Sequence, residues 1–273
     1  MIKFFALFLL PLCIPLLAYV DSDMDGVDDA VDRCPNSLLT DIVDTTGCTV
    51  ESLISPHHYD ILLGIDYTNS DYKTLSKTDT LSSTFQADYY YKDFALQLNT
   101  SYFYTKTDTT TQTGFYDTYL GISYNFQPQE QITLHLGGGI IFPTYTTLLN
   151  NNKTDYFSTL NISYTIQDFN LFGSYSYTFI GDNNIQENNL TISYQNTHAL
   201  SVGCGYYVNT NLYISTTYSA SDSIYTNIET MQTLSFYGFY TLNKHYFTTL
   251  TYAYGLSSSA SDTYASIKIG YFF

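Results

Sequence analysis

From residue 57 to the C-terminus the chain alternates apolar and small polar residues in runs of about ten, separated by turn-forming residues. In "YDILLGIDY", Tyr59, Ile61, Leu63, Ile65 and Tyr67 share one face, and Asp60, Gly64 and Asp66 share the other. "FALQLNTSYFY" sets Phe94, Leu96, Leu98, Tyr102 and Tyr104 against Gln97, Asn99 and Ser101. "DTYLGISYNF" sets Leu120, Ile122, Tyr124 and Phe126 against Asp117, Gly121, Ser123 and Asn125. The habit returns in "STLNISYTI", "FNLFGSYSYTF", "LSFYGFYTL" and "LTYAYGL". It ends in "SIKIGYFF", where Ile267, Ile269, Tyr271 and Phe273 oppose Lys268 and Gly270. A period of two over a whole chain predicts an all-β antiparallel protein.

A soluble sandwich and a membrane barrel both produce this pattern. A sandwich needs Lys and Glu on its outer faces for solubility, whereas these polar faces carry Ser, Thr, Asn, Gly and occasional Asp. Tyr sits near the ends of the apolar stripes, where an interfacial aromatic girdle would place it. The connectors alternate in length. Tight ones are "KD" at 92–93, "QPQE" at 127–130, "QD" at 167–168 and "LNK" at 242–244; long polar ones span 69–82, 105–114, 143–155, 180–188 and 257–263. Strands with lipid on one face must close on themselves to satisfy their backbone groups. The pattern therefore predicts a transmembrane β-barrel over 57–273. Thirteen segments are countable, yet a single-chain bacterial barrel has an even number of strands. "QNTH" at 195–198 and "VNTN" at 208–211 both look like tight turns. If one is no true reversal the barrel has 12 strands, the expected number; if "SIYTNIE" at 223–229 is a strand it has 14.

The N-terminus fixes the compartment. "MIKFFALFLLPLCIPLLAYV" holds one charge, Lys3, before an apolar run too short and Pro-interrupted to span a bilayer. This is the layout of a signal peptide over 1–18, cleaved after Ala18. Lipidation at Cys13 is opposed by the large Leu12 before it. The 273 residues carry a net charge of −16, with Tyr 30, Phe 18 and only 12% charged residues. Such aromatic content excludes a disordered chain. Nine scattered basic residues in an acidic chain exclude a nucleic-acid partner.

The C-terminus resembles that of bacterial outer-membrane β-barrel proteins, whose last strand ends in an aromatic residue. Ile269, Tyr271 and Phe273 on one face carry the likeness; Gly270 lies nearer the end than the glycine of that signal. The resemblance covers about 57–273 and implies outer-membrane lipid and the barrel-assembly machinery as partners. An even strand number puts both ends of the barrel domain on the periplasmic side.

Between signal and barrel, 19–56 opens with "DSDMDGVDDAVDRCP" at 21–35. Asp21, Asp23 and Asp25 alternate so that their carboxylates can converge on one ion. Gly26 permits a sharp turn, Val27 can offer its carbonyl, and Asp29 and Asp32 come round to close the shell. This is the ligand economy of an EF-hand loop, with calcium as the hard cation that needs several oxygens. The Cys-Pro that follows argues against a flanking helix. The stretch resembles a thrombospondin type 3 calcium repeat, which also ends in Asp-x-Cys-Pro. Cys34 and Cys48 bracket "PNSLLTDIVDTTG", and an oxidising periplasm favours a disulfide between them. Closing that loop would contribute on the order of 3 kcal/mol in the entropic account. A zinc pair is the competing reading, although no His neighbours them. Cys204 reads as a small strand residue.

No enzyme is expected. None of His57, His58, His135, His198 and His245 has a Ser two residues later on its own face, where it would activate a strand-borne nucleophile. His135 faces the lumen beside glycines. Asp60, Asp66, Asp88 and Asp117 point inward on the first four strands, either as ordinary lumen polarity or as the wall of a cation-preferring conduit. The expected function is a small porin or passive channel for ions or solutes, with a calcium-binding periplasmic segment. The alternative is a non-conducting envelope or surface-interaction barrel, its lumen filled by Tyr90, Tyr119, Phe157, Phe172 and Tyr237.

Overall fold

The structure, a computed structural model, describes Asp23, Val27, Asp32–Cys34, Asn36–Ser37 and residues 42–43, 45–51, 57–71, 77–145, 152–187 and 190–273. The expected signal peptide, and with it Cys13, lies outside these. So do Asp21, Asp25 and Asp29. The chain divides into two compact units, Met1–Ser52 and Leu53–Phe273.

The first unit is a disulfide-closed loop. Cys34 and Cys48 are bonded, with Cα atoms 5.0 Å apart; the pair is therefore a disulfide and not half of a zinc site. Within the closed segment lies β1 (Ile42–Val43), which pairs antiparallel with β2 (Thr49–Glu51) directly after Cys48. Gly47, at φ 76°, supplies the left-handed residue of the turn between them. Ser37 ties the crossing: its hydroxyl donates to the Gly47 carbonyl at 2.5 Å, while the Arg33 N–H donates to Thr46 O at 2.9 Å.

The second unit is a closed antiparallel barrel of 12 strands. Its staves are β3 (His57–Ser70), β4 (Thr78–Tyr91) and β5 (Phe94–Lys106). Next comes a broken strand, β6 (Thr111–Phe115) continued by β7 (Thr118–Gln129). Then follow β8 (Ile132–Phe142), β9 (Asp155–Ile166) and β10 (Phe169–Phe179). After a loop hairpin of β11 (Ile185–Glu187) and β12 (Leu190–Ile192), the ring resumes with β13 (Thr197–Asn209) and β14 (Leu212–Ser221). It finishes with β15 (Met231–Thr241), β16 (Tyr246–Gly255) and β17 (Thr263–Phe272). Each stave pairs with its sequence neighbour, and β17 pairs with β3 in register from Thr263↔Asn69 to Phe272↔Asp60. No helix occurs among the described residues.

Closure decides the strand count that local chemistry left open. "QNTH" is the entry to β13, not a reversal. "SIYTNIE" is loop, joined to the segment before β13 at the bridge Tyr194↔Tyr225 and to the loop after β16 by the Ser258 hydroxyl, which donates to Glu229 at 3.2 Å. Two connector expectations change as well. The 105–114 stretch is mostly strand, with β5 and β6 pairing from Tyr102↔Phe115 to Lys106↔Thr111 above a four-residue turn. At "QPQE", β7 runs on to Gln129 through an irregularity, so the turn falls at Glu130 and Gln131.

The barrel is inverted relative to a soluble protein. Leu63, Ile65, Leu136, Ile162, Leu200, Leu250 and Ile267 all stand outward and exposed, as lipid requires. Aromatic pairs band both ends. At the tight-turn end stand Tyr59–Tyr89 (ring centroids 5.0 Å), Phe169–Tyr206 (5.0 Å) and Tyr246–Tyr271 (4.9 Å). Tyr102–Phe115 (5.1 Å) stands at the long-loop end. Cys204 lies on the outward phase of β13.

Candidate channel lumen

Cross-strand register fixes what faces inward, because paired residues share a face. The inward phase holds Ser, Thr, Asn and Gln, several glycines and the large aromatics expected as a plug. Most of those aromatics do not project. A Cβ built on Gly139 would lie 2.6 Å from the Phe157 ring, and one on Gly121 would lie 2.6 Å from the Tyr119 hydroxyl. The same relation joins Phe172 to Gly203, Tyr213 to Gly205 and Phe247 to Gly270. Each ring reaches over a glycine into space that a larger side chain there would need, and so is held against the wall. Tyr119 and Phe157 also stack on each other at 4.5 Å. This seating is the feature that sequence reading missed. Its local signal was "YLG", where Tyr119 stands two residues before the glycine it covers.

The four aspartates expected to point inward occupy two regions. Asp60 and Asp88 are direct cross-strand partners near the tight-turn end, and Asp66 lies further along β3 opposite Ser82. All three are buried, with 7%, 6% and 6% of their surface exposed. Neutral amide and hydroxyl donors orient Asp88 and Asp66. Asp88 accepts from the Gln86 amide at 2.7 Å and the Gln97 amide at 2.8 Å. Asp66 accepts from the Tyr264 hydroxyl at 2.9 Å and from Thr84. Asp60 is 2.8 Å from His58 Nε2. Neutral partners position a carboxylate without cancelling its charge. Lys268 is the only Lys or Arg on the inward phase of a barrel strand, and Gly64 opposite it leaves room for its stem. His135 faces inward between Asn125 and Asn161.

Asp117 sits apart, at the break between β6 and β7. It accepts from the Tyr145 N–H at 2.8 Å and the Asn152 amide at 2.7 Å, holding the loop that follows β8. Next to it, Asp155 accepts from the Gly181 N–H and Asp182 from the Lys153 N–H, each at 2.7 Å. The two loops are thus stitched reciprocally. Burial pushes the Asp182 carboxyl above the usual range, the Lys153 N–H opposes it, and the charge of Asp117 adds to it.

In the N-terminal unit, Asp23 donates nothing and receives the Ser37 N–H on Oδ2 at 2.6 Å; Asp32 receives the Cys34 N–H on Oδ1 at 2.7 Å. The other oxygen of each, Asp23 Oδ1 and Asp32 Oδ2, is buried with no hydrogen-bond partner. Buried carboxylate oxygens without donors fit a cation. Among the described residues no three His, Cys, Asp or Glu side chains come together as a metal cluster. At the other end of the chain the Phe273 N–H donates to Tyr59 O at 2.9 Å, pinning the last residue to the seam, while Ile269 and Tyr271 pair outward with Leu63 and Ile61.

No protein family matches the sequence, and no curated protein does. Solved structures match the barrel. An outer membrane channel from Pseudomonas putida F1 superimposes with TM-score 0.63 at 9% identity, over 80% of this chain and 95% of that one. The NanC porin does so with TM-score 0.53 at 14% identity, over 78% and 98%. The KdgM porin gives 0.51 at 11% identity, over 78% and 98%. Those proteins are spanned almost end to end by this chain, whose fold is that of an outer-membrane, porin-like β-barrel.

Proposed function

We propose that this protein is a passive channel of the bacterial outer membrane. The observation that carries the proposal is the seating of inward aromatics over glycines. Tyr119, Phe157 and Phe172, held against the wall, leave the mid-barrel inward positions to Ser, Thr, Asn and Asp66. The non-conducting alternative needs those three rings, together with Tyr90 and Tyr237, to fill the lumen. The tight turns and both barrel termini share one end, which on the usual arrangement is the periplasmic one. We take Phe273, at the seam, as the terminal signal read during barrel assembly.

Three buried inward carboxylates against one inward lysine give the conduit a preference for cations. Planar-bilayer recording of the folded protein in a potassium chloride gradient tests both points. The wild type is expected to show discrete channels whose reversal potential reports cation preference. In the quadruple variant Asp60→Asn, Asp66→Asn, Asp88→Asn, Asp117→Asn that preference is expected to collapse towards none. Absence of steps in repeated insertions would remove the channel, and an unmoved reversal potential would remove the acidic wall alone.

The periplasmic segment is proposed as a calcium site. Asp21, Asp23, Asp25, Asp29 and Asp32 would supply carboxylates and Val27 a carbonyl. Bound calcium would neutralise the acidic block and stiffen the leader that the Cys34–Cys48 disulfide already closes. The orphaned oxygens of Asp23 and Asp32 support this. Calorimetric titration of the detergent-solubilised protein is expected to show calcium uptake at about 10⁻⁴ to 10⁻³ M, the range of extracellular modules. Asp23→Ala with Asp32→Ala should abolish it. No heat from the wild type at several millimolar calcium would reduce the block to a charged leader.

A further inference from the structure

Inward aromatics gather at one height. Tyr207 and Tyr213, cross-strand partners beside the β13–β14 turn, have ring centroids 4.8 Å apart, and Tyr213 reaches Tyr237 at 6.5 Å. Across the next strands Phe239 meets Phe247 at 5.2 Å and Phe247 meets Phe272 at 4.4 Å. Phe272 then meets His58 at 5.8 Å, and His58 meets Tyr90 at 5.6 Å. The steps from Phe239 to Phe247, from Phe247 to Phe272 and from Phe272 to His58 are diagonal. Each lies two residues off the direct register, since Phe239 opposes Thr249, Phe247 opposes Gly270 and Phe272 opposes Asp60. Such steps follow the stagger that barrel closure imposes, so the rings stay level at the tight-turn end. They form a collar over the staves from β13 round to β4.

Two charges belong to this collar. Asp60 sits between His58 and the Asp88 pairing, and Asp88 lies two residues from Tyr90. Opposite them the collar is uncharged. On that uncharged side Tyr213 is seated over Gly205 and stands beside Tyr207 and Tyr237, whereas Phe247 is packed between Phe239 and Phe272. A ring face carries negative electrostatic potential and attracts cations, most of all flat ones that can also stack. Small inorganic cations keep their hydration shell and gain little from such a surface.

We infer that the periplasmic collar is a stacking station for organic cations of the guanidinium or amine class, and that these are the solutes the channel favours. The inference rests on the channel reading for transport, and on the collar alone for binding. A planar cationic group lies on the Tyr207–Tyr213–Tyr237 side while Asp60 and Asp88 supply the opposing charge. Neutral polyols gain no charge term there, and anions are repelled.

The test separates the two readings by measuring binding and current independently. Calorimetry of the detergent-solubilised protein with agmatine is expected to show saturable binding. Sorbitol and glutamate should give none. Tyr213→Leu with Tyr237→Leu should weaken agmatine binding about ten-fold, and Asp60→Asn with Asp88→Asn comparably, each with heat-modifiable gel mobility retained as proof of folding. In planar bilayers, agmatine should interrupt the potassium current with dwell times shortened by the same variants. Potassium current without agmatine binding or blockade would overturn the collar and keep the channel. Agmatine binding without any current would overturn the channel and keep the collar. Sorbitol binding as strongly as agmatine, or variants that bind like the wild type, would overturn the assignment to cations.

Discussion

Replacing Gly270 by valine is expected to lower single-channel conductance roughly two-fold, and adding Phe247→Ala is expected to restore it. Gly270 on β17 pairs directly with Phe247 on β16, and the three heavy atoms nearest a Cβ built on Gly270 all belong to the Phe247 ring. No backbone atom is among them, so the substitution need not distort the sheet. The ring, which is only 4% exposed, must leave its seat. On the channel proposal, the displaced ring turns inward and narrows the lumen. The second substitution removes the displaced ring and should reopen the path. An unchanged conductance in Gly270→Val, with the barrel folded, would show that the ring finds another place along the wall and that its seating is not what keeps the lumen clear.

The second large effect concerns the outer face. Leu250→Arg is expected to destabilise the barrel by about 2–4 kcal/mol, the cost of a guanidinium near the bilayer midplane. Leu250 lies mid-strand on β16, pairs with Ile267 and Gly238, and is 55% exposed to what must be lipid. Thr251, the next residue, has the inward phase and pairs with Tyr237 and Ser266. Thr251→Arg should therefore leave stability nearly unchanged while altering conduction. Denaturant unfolding in lipid bilayers reads both. Equal losses at the two positions would mean that the two faces do not differ as assigned.

These faces were readable from the start. Lipid admits no polar stripe, so the outward phase of β3, β5, β9 and β17 is nearly unbroken in apolar residues, and the period of two stands out. The count of staves was less legible. Around Asn196 the chain is rich in small polar residues, which look alike in a turn and at a strand entry. Only the closed ladder, with Thr178↔Thr197 beginning β13, distinguishes them. The lumen was legible in phase but not in geometry. Tyr119, Phe157, Phe172 and Tyr237 were readable as inward. Whether a ring projects or lies flat depends on which residue sits beside it on another strand, and Phe247 and Gly270 are far apart in sequence. The acidic residues show the same limit. Asp117 shares the inward phase of Asp60, Asp66 and Asp88, yet its carboxylate is spent on Tyr145 and Asn152 of a loop.

The seam between β17 and β3 sets an order on how this chain can be made. The last strand is the partner of the first, and even the terminal N–H of Phe273 completes a bond to Tyr59. A nascent chain that has reached β16 has two open edges, on β3 and on β16, and no segment yet synthesised can cover both. In lipid each bare edge exposes unpaired N–H and C=O groups at several kcal/mol apiece. There is thus no stable half-inserted barrel for this chain to rest in. Closure is therefore open only to a chain that carries β17, and a product truncated before Thr263 lacks the strand that completes the ring.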